Sequence, residues 1–310
     1  MHGENEPSEG VVRFRRCPNC QSGSICPLSG FEEKNLFVCG GCHFIFDVRI
    51  PSAEVLDAFY ANYAYSVRKN CPAPTRVSYN RLLDKFEKYR KTNRILDVGC
   101  GQGDFLIEAK KRDWEVHGTE YSPAAVALCE AAEISVSTGA LKAATFGPLK
   151  FDVVTSFEVF EHINNGFEEI STITEMLRGG GLFYLTTPNF NSVLRYLEGQ
   201  EFRMIAYPEH ISFYTSRSVA NLGTSAGLEI LKTETTGLDL GRLKAVLSCG
   251  SGAPRQLTSG SVRVQESNEL RSRISGSYSL RAAKWLVNAA LTITGTGDTL
   301  KAWMIKPDID

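Results

Sequence analysis

Three groups of residues stand at spacings that could do chemistry. Gly99, Gly101 and Gly103 close the run Ile95-Leu96-Asp97-Val98 and open the run Asp104-Phe105-Leu106-Ile107-Glu108-Ala109. Glycines there remove the Cβ atoms that keep a ligand away from the backbone, and they allow positive φ angles. The helix expected next aims unpaired N–H groups at whatever sits over the turn, so the turn suits an anionic or strongly polar small molecule. Cys17-Pro18-Asn19-Cys20 and Cys39-Gly40-Gly41-Cys42 are two C-x2-C pairs with 18 residues between them. Each pair can wrap one turn around a metal, and four thiolates form a closed tetrahedral shell for a structural zinc. Cys26 and His43 lie close by, but the four-cysteine set is complete without them. The third group comprises Glu161-His162 and Tyr207-Pro208-Glu209-His210. Histidine titrates near neutrality and can take the proton an attacking group must lose.

These groups need elements to position them. Ile95 to Val98 reads as a buried strand, and Trp114-Glu115-Val116-His117-Gly118-Thr119-Glu120 as a second strand ending in a carboxylate about twenty residues after the turn. Phe151 to Ile163 reads as a third core strand running into an acidic loop. Gly179-Gly180-Gly181 precedes Leu182 to Thr187, a further strand. Pro51-Ser52 starts a helix bearing Phe59, Tyr60, Tyr63 and Tyr65, which either packs the ribbon on the core or forms a lid. Tyr79, Leu82, Leu83, Phe86 and Tyr89 recur at helical spacing. Thr215 or Ser216 suits a helix cap. Residues 250–276 are rich in Ser, Gly and Arg and read as a mobile insertion in which Arg255, Arg263, Arg271 and Arg273 form a solvated face or meet a diphosphate. Leu280 to Leu291 and then Thr299 to Ile305 read as a final helix and strand.

Composition narrows the class. Lys and Arg total 34 against 35 Asp and Glu, a formal charge of −1, which lacks the basic footprint of a protein gripping a long nucleic acid. No apolar run approaches the ~20 residues of a membrane span, and residues 1–10 lack a signal-peptide core. Nine cysteines, an odd number, point to a reducing, cytoplasmic setting. Cys71, Cys100, Cys129 and Cys249 read as small buried apolar residues.

Taken together, LDVGCGQGDFL, the acid Glu120 and FDVVTSFEVFEHI resemble the class I S-adenosylmethionine-dependent methyltransferases over residues 94–240. The resemblance implies an α/β fold, a doubly wound seven-stranded Rossmann-like sheet with its last strand antiparallel between the fifth and sixth, here preceded by a small zinc ribbon. It implies that Gly99, Gly101 and Gly103 approach the methionine part of S-adenosylmethionine, that Glu120 accepts the ribose hydroxyls and that Tyr121 lies against the adenine. Asp97 and Phe157 complete the expected cofactor-binding set. The acid that often receives the adenine amino group has no counterpart in Thr138-Gly139-Ala140-Leu141, so packing and backbone groups would hold the adenine. Phe157-Glu158-Val159-Phe160 replaces the Asn/Asp-Pro-Pro-aromatic motif of amino-methyltransferases.

The order of four-cysteine ribbon, helical linker, core and Tyr-x-Glu-His is similar to the sugar methyltransferases that modify nucleotide-linked deoxysugars. That likeness implies Tyr207, Glu209 and His210 as acceptor-site residues with His210 as base, and a sugar or nucleotide-sugar as partner. Glu161-His162 is the rival pair, read as a helix-start and loop-ordering element. Two departures stand out: Gln21 occupies a position usually held by glycine, and the C-terminal part is shorter than the sugar-binding domain of the 3-C-methyltransferases. Two other readings remain, an RNA base methyltransferase gripping RNA with its ribbon through Arg13, Arg15 and Arg16, and a non-catalytic cofactor-binding scaffold. The expected division is a flexible tail (1–16), the ribbon (17–50), a helical linker or lid (51–93), the core (94–240) and a C-terminal extension (241–310). Oligomeric state leaves no mark in the sequence.

Overall fold

A computed structural model describes residues 12–52, 54–56, 70–249 and 278–308. The N-terminal part holds strands β1 (Val12–Arg13), β2 (Ile25–Pro27), β3 (Leu36–Cys39), β4 (Ile45–Asp47) and β5 (Arg49–Ile50). β1 pairs antiparallel with β5, and Phe14 donates its N–H to the Val48 carbonyl at 2.8 Å. Residues 12–14, read as part of the tail, thus pair with the ribbon strands. Two residues carry no periodicity to read, and their pairing partner lies far along the chain. Residues 1–11 lie outside the described residues, as do Phe59, Tyr60, Tyr63 and Tyr65 and the arginines of 250–276.

The main sheet is built from β6 (Arg94–Val98), β7 (Glu115–Glu120), β8 (Ser135–Thr138), β9 (Phe151–Phe157), β10 (Leu177–Pro188), β12 (Glu229–Thr236) and β13 (Thr299–Ile305), in the order β12-β13-β10-β9-β6-β7-β8. The inner strands β6 and β9 are buried along nearly their whole length, as strands covered on both faces must be. β10, β9, β6, β7 and β8 run parallel, while β13 is antiparallel to both β10 and β12. The seven-stranded sheet with its reversed last strand is thus as expected. β8 was not foreseen as a strand, so Phe151–Phe157 is the fourth core strand and not the third. Its Ser-Val-Ser-Thr sequence is half-exposed at the sheet edge and has no apolar run. The three glycines read as preceding the fifth strand lie inside β10, where the register shifts between Leu177 and Leu182 as at a bulge.

Helices cover both faces. Ser122 caps the helix Pro123–Glu130, whose first residue is proline, and Thr215 caps Ser216–Ser225 through a reciprocal capping box with Ser218. The helix Ala73–Phe86 buries Leu83 and Phe86 against Phe105, Tyr184 and Trp303. On the opposite face the ribbon residues Phe44, Phe46 and Val48 share one core with Leu96, Val98, Phe160 and Phe183. One strand ties the two parts together: β11 (Ser212–Phe213) joins the ribbon sheet, giving the order β11-β4-β3-β2.

Candidate functional site

The strand β6 ends in the glycine turn. Gly99, Gly101 and Gly103 have φ angles of 71°, 54° and 79°, a region that side chains rarely enter. A Cβ on Gly99 would come within 2.5 Å of Val159, and one on Gly103 within 2.8 Å of Ile134, so both are also sterically required to be glycine. At the end of β7, Glu120 is pinned by the turn it faces. Gly101 donates its N–H to Oε2 at 2.8 Å, and Ser122 donates its N–H to Oε1 at 2.9 Å. A carboxylate has about four lone-pair sites, so these bonds leave acceptor capacity for two hydroxyl groups. This donor set fits the ribose of S-adenosylmethionine, which would supply the electrophilic methyl.

The other expected cofactor residues differ among themselves. Tyr121 is 69% exposed. Phe157 is half-buried, with ring centroids 5.0 Å from Phe105 and 5.8 Å from both Tyr79 and Tyr184. Asp97 is buried, and the Thr155 hydroxyl donates to its Oδ1 at 2.7 Å. Burial pushes its carboxyl up to about 8, opposed by the Thr155 bond and reinforced by the Glu120 charge. A group so enclosed shapes the base of the turn. Gly139 donates its N–H to the Glu120 carbonyl at 2.9 Å, which fixes the backbone where an adenine-binding acid would otherwise stand. A cavity of about 470 Å³ opens beside Asp104, lined also by Cys71, Arg76 and Glu108, and shares no residue with the histidine cluster described next.

Glu161, His162 and His210 converge from two loops. A 3-10 turn, Phe160–His162, follows β9, while His210 lies in the loop before β11. The two imidazole centroids are 4.9 Å apart. His162 Nδ1 lies 2.8 Å from the Glu209 carbonyl, and His210 Nδ1 lies 2.9 Å from the Met204 carbonyl. A carbonyl oxygen can only accept, so each Nδ1 carries a proton, which in a neutral His210 leaves the lone pair on Nε2. Burial holds both imidazoles below the usual histidine range, and the neighbouring His210 adds to the effect on His162. Glu161 is 3% exposed, and the Thr187 hydroxyl donates to its Oε2 at 2.9 Å. Burial, and then the Glu158 charge, raises its carboxyl well above the usual range. Donor atoms of Glu161, His162 and His210 lie within 4.8 Å of one another. That arrangement can accept a proton and has the donor types a divalent cation uses.

The rival Glu-His pairs of the sequence are therefore one cluster. Glu161-His162 does order the loop: Ile211 donates its N–H to the Glu161 carbonyl at 3.0 Å, and the Ser212 hydroxyl donates to the Ile163 carbonyl at 2.6 Å. Its side chains nevertheless face His210. Tyr207 lies under the Arg49 guanidinium, 3.8 Å from its ring centroid, so its visible partner is the ribbon. Glu209 reaches His162 through its backbone carbonyl. Sequence reasoning passed over Glu158, which adopts φ 54°, unusual for a residue with a side chain, and accepts from the Thr186 hydroxyl at 2.7 Å. Its acidic-loop setting was the available signal. Thr186, Thr187 and Arg49 carried none.

The four expected metal-ligating cysteines come together. Their Sγ atoms lie within 4.8 Å of one another, with Cys17 to Cys42 and Cys20 to Cys39 each at 3.5 Å. Disulfides need about 2.05 Å, whereas four thiolates at about 2.3 Å from one zinc stand somewhat under 4 Å apart. Gly41 and Cys42 donate N–H bonds to Cys39 Sγ at 3.3 and 3.5 Å, which stabilises a thiolate. The set fits a tetrahedral metal. Among the described residues, no helix is long and apolar enough to cross a membrane.

Comparison with known proteins places this geometry in a family. A family model described as "Methyltransferase domain" matches residues 72–233, just over half of the chain, and the chain belongs to that family. A ubiquinone biosynthesis O-methyltransferase of Aeromonas salmonicida is 31% identical over 148 residues, covering 44% of this chain and 62% of that protein. Its counterpart from Azoarcus sp. is 27% identical over 152 residues, covering 44% of this chain and 65% of that protein. The chain thus spans less than two thirds of the length of these relatives. Among solved structures, a SAM dependent methyltransferase from Archaeoglobus fulgidus aligns with 83% of this chain and 100% of its own, at 15% identity and a TM-score of 0.49.

Proposed function

We propose that this member of the methyltransferase-domain family transfers the methyl group of S-adenosylmethionine to a small hydroxyl-bearing acceptor, with His210 as general base. The observation that carries the reading is the His210 ring, whose Nδ1 is held by the Met204 carbonyl beside His162 and Glu161, leaving Nε2 as the proton acceptor. The attacked methyl sits on a positively charged sulfur, and displacement is in line, so alignment supplies much of the rate. The acceptor hydroxyl must lose its proton as it attacks. His210 takes it, worth ~10²–10⁴-fold as general bases go. Glu161 stands beside the imidazoles, held by the Thr187 hydroxyl, and completes the polar wall of the cluster. The four cysteines hold a structural zinc.

For the acceptor, the layout of ribbon, linker and Tyr207-Glu209-His210 supports a sugar or nucleotide-sugar. The ubiquinone biosynthesis O-methyltransferases among its relatives favour a second reading, O-methylation of an acceptor of the ubiquinone-biosynthesis kind. Both place the methyl on a small molecule and neither uses the ribbon to hold RNA. The test is label transfer from S-adenosylmethionine with a radioactive methyl group, offered separately to nucleotide-linked sugars, hydroxylated aromatic compounds and total RNA. Label in the sugars is the expected result. Label in the aromatic compounds alone selects the second reading, and label in RNA alone overturns both.

A further inference from the structure

The loop that carries His210 is held from two sides. His210 itself makes local bonds, donating its backbone N–H to the Ala206 carbonyl at 2.9 Å and pairing its Nδ1 with the Met204 carbonyl, while the Glu209 carbonyl accepts from His162 of the core. Its far end is clamped by Ile211, whose N–H goes to the Glu161 carbonyl and whose carbonyl accepts the Asp47 N–H at 2.8 Å. Beyond it, Ser212 stands opposite Phe46 and Phe213 opposite Ile45 in the ribbon sheet. At its near end, Met204 and Ile205 pack against a cluster to which Phe31 and Leu36 of the ribbon contribute. Between these ends stands Tyr207, and the ribbon reaches it through Arg49.

The Arg49 side chain is itself fixed. Asp47, 1% exposed, accepts from Arg49 Nε at 2.9 Å and Nη2 at 2.6 Å, and its Oδ1 also accepts the Arg49 backbone N–H at 2.9 Å. Two parallel bonds set the plane of a guanidinium, and that plane then stacks on an aromatic ring. A flexible ammonium could do neither. We propose that Asp47 and Arg49, both residues of the ribbon, are positioning residues for methyl transfer: they fix Tyr207 and thereby the turn that aims His210 at His162 and Glu161. The inference rests on His210 being the base. It makes the ribbon one wall of the acceptor site.

The experiment uses the full chain with S-adenosylmethionine and a panel of nucleotide-linked deoxysugars and catechols, and compares Arg49→Met, Arg49→Lys and His210→Ala. Arg49→Met keeps the apolar stem and removes the fork. It is expected to lower kcat about 10–100-fold through misalignment, to speed amide hydrogen exchange over residues 204–211, and to leave zinc content and cofactor affinity unchanged. Arg49→Lys should recover only part of kcat. Wild-type kcat and KM in Arg49→Met, alongside a dead His210→Ala, would overturn the positioning role and leave the base intact. Full turnover in His210→Ala would remove the base reading instead. Hydrogen exchange then decides alone: faster exchange over 204–211 in Arg49→Met keeps the tether, and unchanged exchange refutes it. Should Arg49→Met fail to fold, Tyr207→Leu removes the stacked ring and leaves the Asp47–Arg49 pair, with the same readouts.

Discussion

The corner proposed to hold the cofactor and the corner proposed to receive the acceptor are built in opposite ways. The first is drawn from one stretch, residues 94–121, in which a strand, a glycine turn and a second strand bring Glu120 onto Gly101. The second assembles Arg49 from the ribbon, Glu158 to His162 from the end of β9, Thr186 and Thr187 from β10, and His210 from a loop that joins the ribbon sheet. A corner made of one local motif tolerates loss of its distant neighbours. A corner made of four segments depends on every tether, which is why the four-cysteine ribbon belongs in any account of the proposed chemistry.

Removing zinc should separate the two most sharply. Chelation, or Cys39→Ser, takes away the shell around which β3 and β4 turn, and structural zinc binding is itself folding free energy. Turnover is expected to vanish while S-adenosylmethionine still binds by calorimetry. Simultaneous loss of both would show that the corners are one cooperative unit. His210→Ala comes next, with kcat down by ~10²–10⁴-fold and cofactor affinity nearly unchanged. Glu120→Ala should do the reverse, weakening cofactor binding by about tenfold to a hundredfold, since bonds to a charged acceptor contribute ~1.5–3 kcal/mol. Unchanged binding would overturn the ribose assignment.

Two smaller effects depend on pH. A base must be neutral to accept a proton, and burial lowers the His210 imidazole, so its acid limb should fall below the ordinary histidine value of about 6.5. A kcat profile with its midpoint above that value would contradict the burial argument. In the cofactor corner the sign is opposite. Asp97 is raised from 3.8 to about 8, so its favourable contribution to stability is present below its unfolded value and is lost as pH rises towards 8. Asp97→Asn should therefore melt less pH-dependently than the parent between pH 5 and about 9. Equal slopes would mean that Asp97 is ionised in the fold.

Legibility followed the same divide. Glycine spacing, the strand-end acid and the paired C-x2-C turns are local patterns with few physical alternatives, so the glycine turn and the cysteine cluster could be anticipated, while the reversed last strand followed only from the family resemblance. β8 escaped because an edge strand needs no apolar run, and β1 because two residues have no period. Glu161-His162 and Glu209-His210 were weighed as rivals because nothing in a linear sequence states that the carbonyl of Glu209 meets the ring of His162.

What the sequence determined by itself is chemistry held in short spans: a turn that only glycine can make, a carboxylate at the end of the next strand, and thiols three residues apart. Backbone sterics and metal geometry operate over a few residues, so residue type and spacing suffice to specify them. Only the tertiary structure decided that the ribbon donates an edge to β11, that Arg49 covers Tyr207, and that two distant histidines share one corner. Those outcomes arise from burying the apolar faces of the ribbon and the sheet in a common core. Burial is non-directional and sums over the whole chain, and so it leaves no mark at any single position.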